Sequence, residues 1–210
     1  MMNEQEVRSI VEKVLCQLSD DKKPVPIEAS ARHVHLSTQA VEQLFGKGEK
    51  LNKVRDLSQP GEFLSDRRLK LVTAKGELAN VAVLGPERKA VQVELSMTDC
   101  RTLGIKAPIN LSGDLSGAGD VLLVSDKGCL HAQGSVIVAQ NHIHMTPADA
   151  DYYGVKDGQS VKVRANTSRP VSFENVVIRV SEKFALAMHI DFDEANACCL
   201  GKADTGTITG

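Results

Sequence analysis

The chain has 210 residues, 42% apolar and 25% charged, with 16 Gly, 7 Pro and a formal net charge of -2. This composition excludes collagen-like and disordered chains, and the length allows one large domain or two small ones, each able to bury a modest core. Balanced charge, 3% aromatic residues and no Trp leave neither a basic field for a duplex or an anionic membrane nor stacking platforms for single strands, so neither nucleic acid nor a membrane is expected as a partner.

In residues 1–19 the apolar positions Val7, Ile10, Val11, Val14, Leu15 and Leu18 fall on one helical face, with charges between them. The polar run that follows, residues 20–24, ends in Pro24, which cannot continue a helix, and reads as a linker. This amphipathic helix either docks on its own domain or presents its stripe to a partner. The five Cys, at 16, 100, 129, 198 and 199, show no CxxC spacing. No stretch reads as a secretory signal, so a reducing cytosolic setting is expected, with the cysteines as small buried hydrophobes.

From Val25 onward, short runs rich in Val, Ile and Leu (69–73, 81–84, 91–94, 121–124, 136–138, 161–163 and 176–178) recur at roughly ten-residue intervals. Turn residues separate them at Ala74-Lys75-Gly76, Asp126-Lys127-Gly128 and Lys156-Asp157-Gly158. The pattern predicts a mainly β chain built of barrels with short capping helices, because closure removes the exposed edges of short strands.

An internal repeat runs through these strands. His33-Val34-His35-Leu36-Ser37 corresponds to His142-Ile143-His144-Met145-Thr146: each is an alternating His pair, then a Ser/Thr N-cap, then a short helical pattern ending at Gly46 or Gly154. Setting Asn80 on Asn175 puts Arg88 on Lys183, Val93 on Met188, Glu94 on His189 and Leu95 on Ile190, with the capping residues Ser96 and Asp191 following. The chain therefore reads as a tandem duplication with pseudo-twofold symmetry. Its expected division is residues 25–46 with 140–210 in one barrel and 47–139 in the other.

The repeat sorts candidate metal ligands into two sets, His33, His35 and Glu94, and His142, His144 and His189. On a strand, residues i and i+2 project to one face about 7 Å apart, so two imidazoles can converge on one ion while Val34 or Ile143 faces the core. One such pair alone is often an ordinary surface or core feature. Two pairs in matched contexts, each with a matched third ligand, favour metal, and three His/Glu ligands leave coordination positions open, as in catalytic zinc sites. His131 has no counterpart and reads as a plain histidine.

Taken together, Ser30-Ala31-Arg32-His33-Val34-His35-Leu36-Ser37, the block from Leu84 to Glu94, Ala139 to Met145, and Met188 to Asn196 resemble the phosphate propanoyltransferases, the PduL-type phosphotransacylases of bacterial microcompartments, over about residues 24–200. The resemblance implies interconversion of short-chain acyl-CoA plus phosphate with acyl phosphate plus coenzyme A on a two-zinc site between two β-barrels. It implies zinc at both ligand sets, phosphate on Arg88, and coenzyme A contacts at Ala29, Ser30, Ala31, Lys75 and Asn196. It also implies a bacterial cytoplasmic enzyme inside a microcompartment, with residues 1–19 as an encapsulation segment for shell or lumen proteins and a homo-oligomeric state. Two positions depart from the family pattern: Asn141 where an Arg is usual, and Ala82 where some members carry a basic residue near coenzyme A. A dinuclear zinc hydrolase and a non-catalytic zinc-stabilised assembly module are the other readings of the same residues.

Overall fold

A computed structural model describes residues 23–209, so the helix expected over 1–19 and the linker residues 20–22 lie outside the described residues. The first barrel is formed by β1 (Val25–Ser30), β10 (His142–Met145), β11 (Ser160–Asn166), β12 (Ser172–Val180), β13 (Ala187–Asp191) and β14 (Thr205–Ile208), and closes in the order β1-β13-β10-β12-β11-β14. The second is formed by β2 (His33–Ser37), β4 (Phe63–Val72), β5 (Glu77–Arg88), β6 (Gln92–Glu94), β8 (Gly119–Val124) and β9 (Cys129–Ala139), and closes in the order β4-β5-β2-β6-β9-β8. Two further strands, β3 (Lys53–Asp56) and β7 (Ile109–Asn110), extend it at β4 and at β9. Each barrel has its own apolar core, with Val34 buried in one and Ile143 in the other.

The duplication is visible strand for strand. β2 pairs in parallel with β5 and antiparallel with β6, as β10 pairs with β12 and β13. β6 then pairs in parallel with β9, as β13 pairs in parallel with β1. β1 is therefore the counterpart of β9, and each leads directly into a His-x-His strand. At both places the chain changes barrels: β1 lies in the first and β2 in the second, while β9 lies in the second and β10 in the first. Residues 33–45, grouped by the sequence with 140–210, accordingly take their backbone partners from β5 and β6 and pack in the second core. A period-2 pattern shows which face of β2 is apolar but carries no information on which strands flank it.

Among the described residues four helices cap the barrels: α1 (Thr38–Phe45), α2 (Met97–Leu103), α3 (Pro147–Tyr153) and α4 (Phe192–Ala197). Ser37, Ser96, Thr146 and Asp191 are their N-caps, each side chain accepting a backbone N–H of the first turn. These caps end β2, β10 and β13 and the stretch after β6, fixing where each ligand-bearing strand stops. At the start of the described chain, Lys23 is tied to α3, its N–H donating to the Tyr152 hydroxyl at 3.2 Å and its carbonyl accepting from the Tyr153 hydroxyl at 2.8 Å. Among the described residues no helix is long and apolar enough to cross a membrane.

Asn80 and Asn175, the pair that aligns the two halves, both adopt left-handed backbone, with φ of 57° and 56°. A β-branched side chain costs roughly 1–2 kcal/mol in that region, and glycine nothing. Asn80→Val and Asn175→Val should each lower stability by about that amount in denaturant titrations, whereas the Gly variants should stay within about 0.5 kcal/mol of the parent. Equal tolerance of Val and Gly at either position would show that the conformation is not held in solution.

Candidate functional site

The two His-x-His strands meet across an open cleft between the barrels. Val34 and Ile143 point into the cores and are fully buried, so the flanking imidazoles are turned out of the barrels toward this cleft. Strand register supplies the third member of each set: His33 lies opposite Glu94 on β6, and His142 lies opposite His189 on β13.

In the first set the ligand atoms of His33, His35 and Glu94 all lie within 4.8 Å of one another, and the three residues could hold a metal ion. In the second, the ring centroids of His142, His144 and His189 are separated by 4.6 to 5.3 Å. The two sets share their ring orientations. His33 Nδ1 lies 2.8 Å from the Ala31 carbonyl and His142 Nδ1 lies 2.8 Å from the Gln140 carbonyl, which leaves Nε2 of each facing its cluster. His35 Nδ1 and His144 Nδ1 are buried without a hydrogen-bond partner. A buried imidazole nitrogen is normally paired, so these matched orphans are what a divalent cation would satisfy. His189 differs: its Nε2 is 3.3 Å from Gln59 Nε2, and its Nδ1 is 4.0 Å from Glu28 Oε2.

Burial pulls the His33 imidazolium down, but the charge and hydrogen bond of Glu94 and the Ala31 carbonyl outweigh it, and its pKa is raised. Burial likewise pushes the Glu94 carboxyl up, yet the His33 partner prevails and Glu94 is held well below the usual carboxylate range. The other four imidazoles are kept neutral, chiefly by burial. His35 is lowered well below 6.5 with help from the nearby His33 and Arg88 charges, and His142 is lowered too. His189 is brought down to about 3 and His144 to about 2, each with further repulsion from His142. Glu94 ionised and these four imidazoles neutral are in the state that zinc binds, whereas His33 would have to give up its proton to an ion.

Arg88, at the end of β5, lines the same cleft, its Nη1 donating to Ser112 Oγ at 3.2 Å and its Nη2 to Glu62 Oε1 at 2.9 Å. Gln92 ties this corner to the first ligand set: its Nε2 donates to Glu94 Oε1 at 2.6 Å and to Ser112 Oγ at 2.8 Å, while its Oε1 accepts from Gly113 N. Ala29, Ser30 and Ala31 also line the cleft. Lys75 and Asn196 are not among its lining residues: Lys75 sits in the β4–β5 turn against Gly104, at the far end of α2, and Asn196 is exposed on α4. His131 is exposed on β9, opposite Leu122.

Both departures from the family pattern have a structural setting. Arg32 pairs with Asp99 at 3.0 Å, and at the matched position Asn141 donates to Glu194 Oε1 at 2.7 Å; both carboxylates belong to the first turns of capping helices. Asn141 thus keeps the strand-to-helix tie with a neutral amide. Ala82 lines the cleft directly across from Arg68, a second lining residue, whose guanidinium donates to the carbonyls of Ser65 and Arg67.

Gln59, Glu62, Gln92, Ser112, Arg179 and Phe184 also line or support the cleft and were not singled out in the sequence. Gln92 was within reach, because it lies two residues before Glu94 on the same face of a strand. Arg179 is the register partner of His144 and emerges only from strand pairing. Residues 58–62 carry no signal beyond Pro60-Gly61, which marks a turn.

Two closed barrels exchanging strands around paired histidine clusters define the class of protein. The model of the phosphate propanoyltransferase family matches residues 26–201. Curated phosphate propanoyltransferases align over nearly their whole length and this chain's: that of Alkaliphilus metalliredigens is 44% identical over 99% of both chains, and that of Listeria monocytogenes is 46% identical over 99% of this chain and 97% of its own. That of Leptotrichia buccalis is 49% identical over 96% of this chain and 95% of its own. The chain belongs to the phosphate propanoyltransferase family and is, with it, a phosphate acyltransferase enzyme.

The four depressed imidazoles set the acid response of metal-free protein. Their folded pKa values lie below the unfolded value of about 6.5, so as pH falls below 6.5 the unfolded chain takes up protons that the folded chain refuses, and stability falls. His33, with its raised value, acts in the opposite sense, giving stability below 6.5 that is lost as pH rises through its folded pKa. Glu94 contributes stability above the normal carboxylate value, lost only in stronger acid. Four groups against one predict that chelator-treated protein loses about 1 kcal/mol of stability per pH unit or more between pH 7 and pH 5, seen as a falling melting temperature. His144→Gln should flatten that slope. A melting temperature that is level or rises toward pH 5 would contradict the burial of neutral imidazoles.

Proposed function

We propose that this cleft transfers a short acyl group, propanoyl or acetyl, between the sulfur of coenzyme A and phosphate, with one zinc ion held by His33, His35 and Glu94 and another by His142, His144 and His189. The reading is carried by one observation: the metal-capable group His33, His35 and Glu94 and the three histidines that the repeat sets against it, each with a buried Nδ1 lacking a partner, line the same cleft as Arg88. Bound at these residues, the ions would favour the thiolate form of the coenzyme A sulfur and draw electron density from the acyl carbonyl.

The chain's own residues supply the rest. Arg88 offers a planar fork that matches two phosphate oxygens and stays charged as the leaving phosphate gains electron density. Ser112 and Gln92 brace the guanidinium on one side and Glu94 on the other, so phosphate and the first ligand set are held in fixed relation. The Ala29–Ala31 backbone forms the wall along which the pantetheine arm approaches. In the thioester-forming direction the thiolate attacks the acyl carbon, the carbon–oxygen bond to phosphate breaks, and phosphate leaves on Arg88. The described cysteines at 100, 129, 198 and 199 are not among the cleft's lining residues, which suits direct transfer in a ternary complex.

Thioester formation from coenzyme A and propanoyl or acetyl phosphate, measured with and without chelator, tests the assignment. The expected result is coenzyme A acylation that chelator abolishes and zinc restores; release of phosphate at the same rate without coenzyme A would point to a hydrolase. Arg88→Ala should lower turnover about a hundred- to a thousandfold with metal content intact, and Arg88→Lys should rescue little, because an ammonium lacks the fork.

Residues 1–19 are proposed to direct the enzyme into a bacterial microcompartment through their apolar stripe, and the assembled enzyme to be a homo-oligomer. Deleting them should leave turnover per site unchanged, and a reporter carrying them should co-purify with compartments. Replacing Ile10, Val14 and Leu18 by Glu should abolish that. Loss of activity on deletion would make the segment part of the fold.

A further inference from the structure

The loop between β3 and β4 is built to present one carboxylate. Leu57 N donates to the Glu62 carbonyl at 3.0 Å and Glu62 N to the Gln59 carbonyl at 3.2 Å, closing a tight turn around Pro60 and Gly61. The buried Gln59 side chain anchors that turn on the opposite barrel, its Nε2 donating to the Ala185 carbonyl at 3.0 Å and its Oε1 accepting from Ala185 N at 3.2 Å. The Ser58 hydroxyl adds a hydrogen bond to Glu28 on β1. With its apex fixed on the far barrel, the loop sets the Glu62 carboxylate 2.9 Å from Arg88 Nη2, and both side chains remain about one third exposed, at 36% and 33%.

Two other arginines beside the histidine clusters are placed differently. Arg32 pairs at 3.0 Å with Asp99 of a capping helix, and Arg179 lies with its guanidinium 5.7 Å from the Phe184 ring centre and has no carboxylate at ion-pair distance among the described residues. Nor does Arg88 need Glu62 for placement, because Ser112 holds its Nη1 from the other side. Glu62 instead occupies a donor that a phosphate oxygen would use and sets a negative charge beside the position of an incoming dianion.

We propose that Glu62 is a built-in competitor for the phosphate site, a displaceable counterion that holds the affinity of Arg88 for phosphate down and so permits its release. The proposal rests on the reading of Arg88 as the phosphate-binding residue. A charge a few ångströms from the anion in a half-exposed cleft, screened by solvent on one side, is worth about tenfold in affinity. Because the reaction is reversible, a phosphate held too tightly would stall thioester synthesis, and the counterion keeps both directions open.

Calorimetric titration of the full-length, metal-loaded enzyme with inorganic phosphate at low ionic strength tests this, with the KM for phosphate in acyl phosphate formation as a second readout. Glu62→Gln keeps an acceptor for Arg88 and removes the charge; it should bind phosphate about tenfold more tightly and lower that KM in proportion, with the KM for acyl-CoA unmoved. Glu62→Asp keeps the charge and should stay within about twofold of the parent, an outcome that a purely structural role would reverse. Glu62→Ala gives the same sign as Gln and covers the case in which the Gln variant folds poorly. If the neutral variants bind phosphate no better than the parent while Arg88→Ala abolishes binding, the phosphate site stands and the counterion role is overturned. If Arg88→Ala binds phosphate as the parent does, the phosphate reading fails and the counterion role with it.

Discussion

The structure depends on the register in which each His-x-His strand is held between two neighbours of a barrel other than the one that delivers it. Two residues link β1 to β2, and two link β9 to β10. Across each link the chain passes from one sheet to the other, so the strands that carry the histidines lie at the junction by necessity. Register then sets Glu94 against His33 and His189 against His142. A slip of one residue would turn Val34 and Ile143 into the cleft and four imidazoles into apolar cores, and the burial of those two aliphatic side chains holds the register against it.

The exchange of strands also explains the cost that the fold carries. Buried imidazoles and a buried carboxylate oppose folding unless each polar atom finds a partner. The Ala31 and Gln140 carbonyls satisfy one nitrogen in each half, and the Glu94–His33 pair satisfies another, but His35 Nδ1 and His144 Nδ1 are left over in matched places. The same atom is thus left unpartnered twice, in two barrels related by duplication, and the proposed metal ions would supply the missing partners. Around those atoms the capping helices, the Gln92–Ser112 brace and the 57–62 loop are arranged so that a single cleft contains the imidazoles, the carboxylate and the arginine together.

Much of this was legible in the residues. The strands, the turns at 74–76 and 126–128, the N-caps Ser37, Ser96, Thr146 and Asp191, and the pairing of Glu94 with the first histidines and His189 with the second all follow from alternation, capping chemistry and the repeat. What was not legible depends on which strand lies beside which. The sequence grouped residues 33–46 with the first barrel, whereas β2 pairs with β5 and β6 of the second, because alternation in β2 shows its apolar face but not which strands flank it. Glu62 and Gln59 act through a loop whose residues signal only a turn, and their partners are 26 and 126 positions away. Lys75 stands away from the cleft because its turn packs on the far end of α2, a placement that the local sequence does not encode.

The central claim is that two equivalent ligand sets each hold their own metal ion. Elemental analysis of protein purified without added zinc, carried out on the parent, Glu94→Ala and His189→Ala, tests it most directly. The account predicts about two ions per chain in the parent and about one in each variant, with the loss confined to the altered set. A single ion per chain that either variant removes would show one site shared between the barrels and would contradict it.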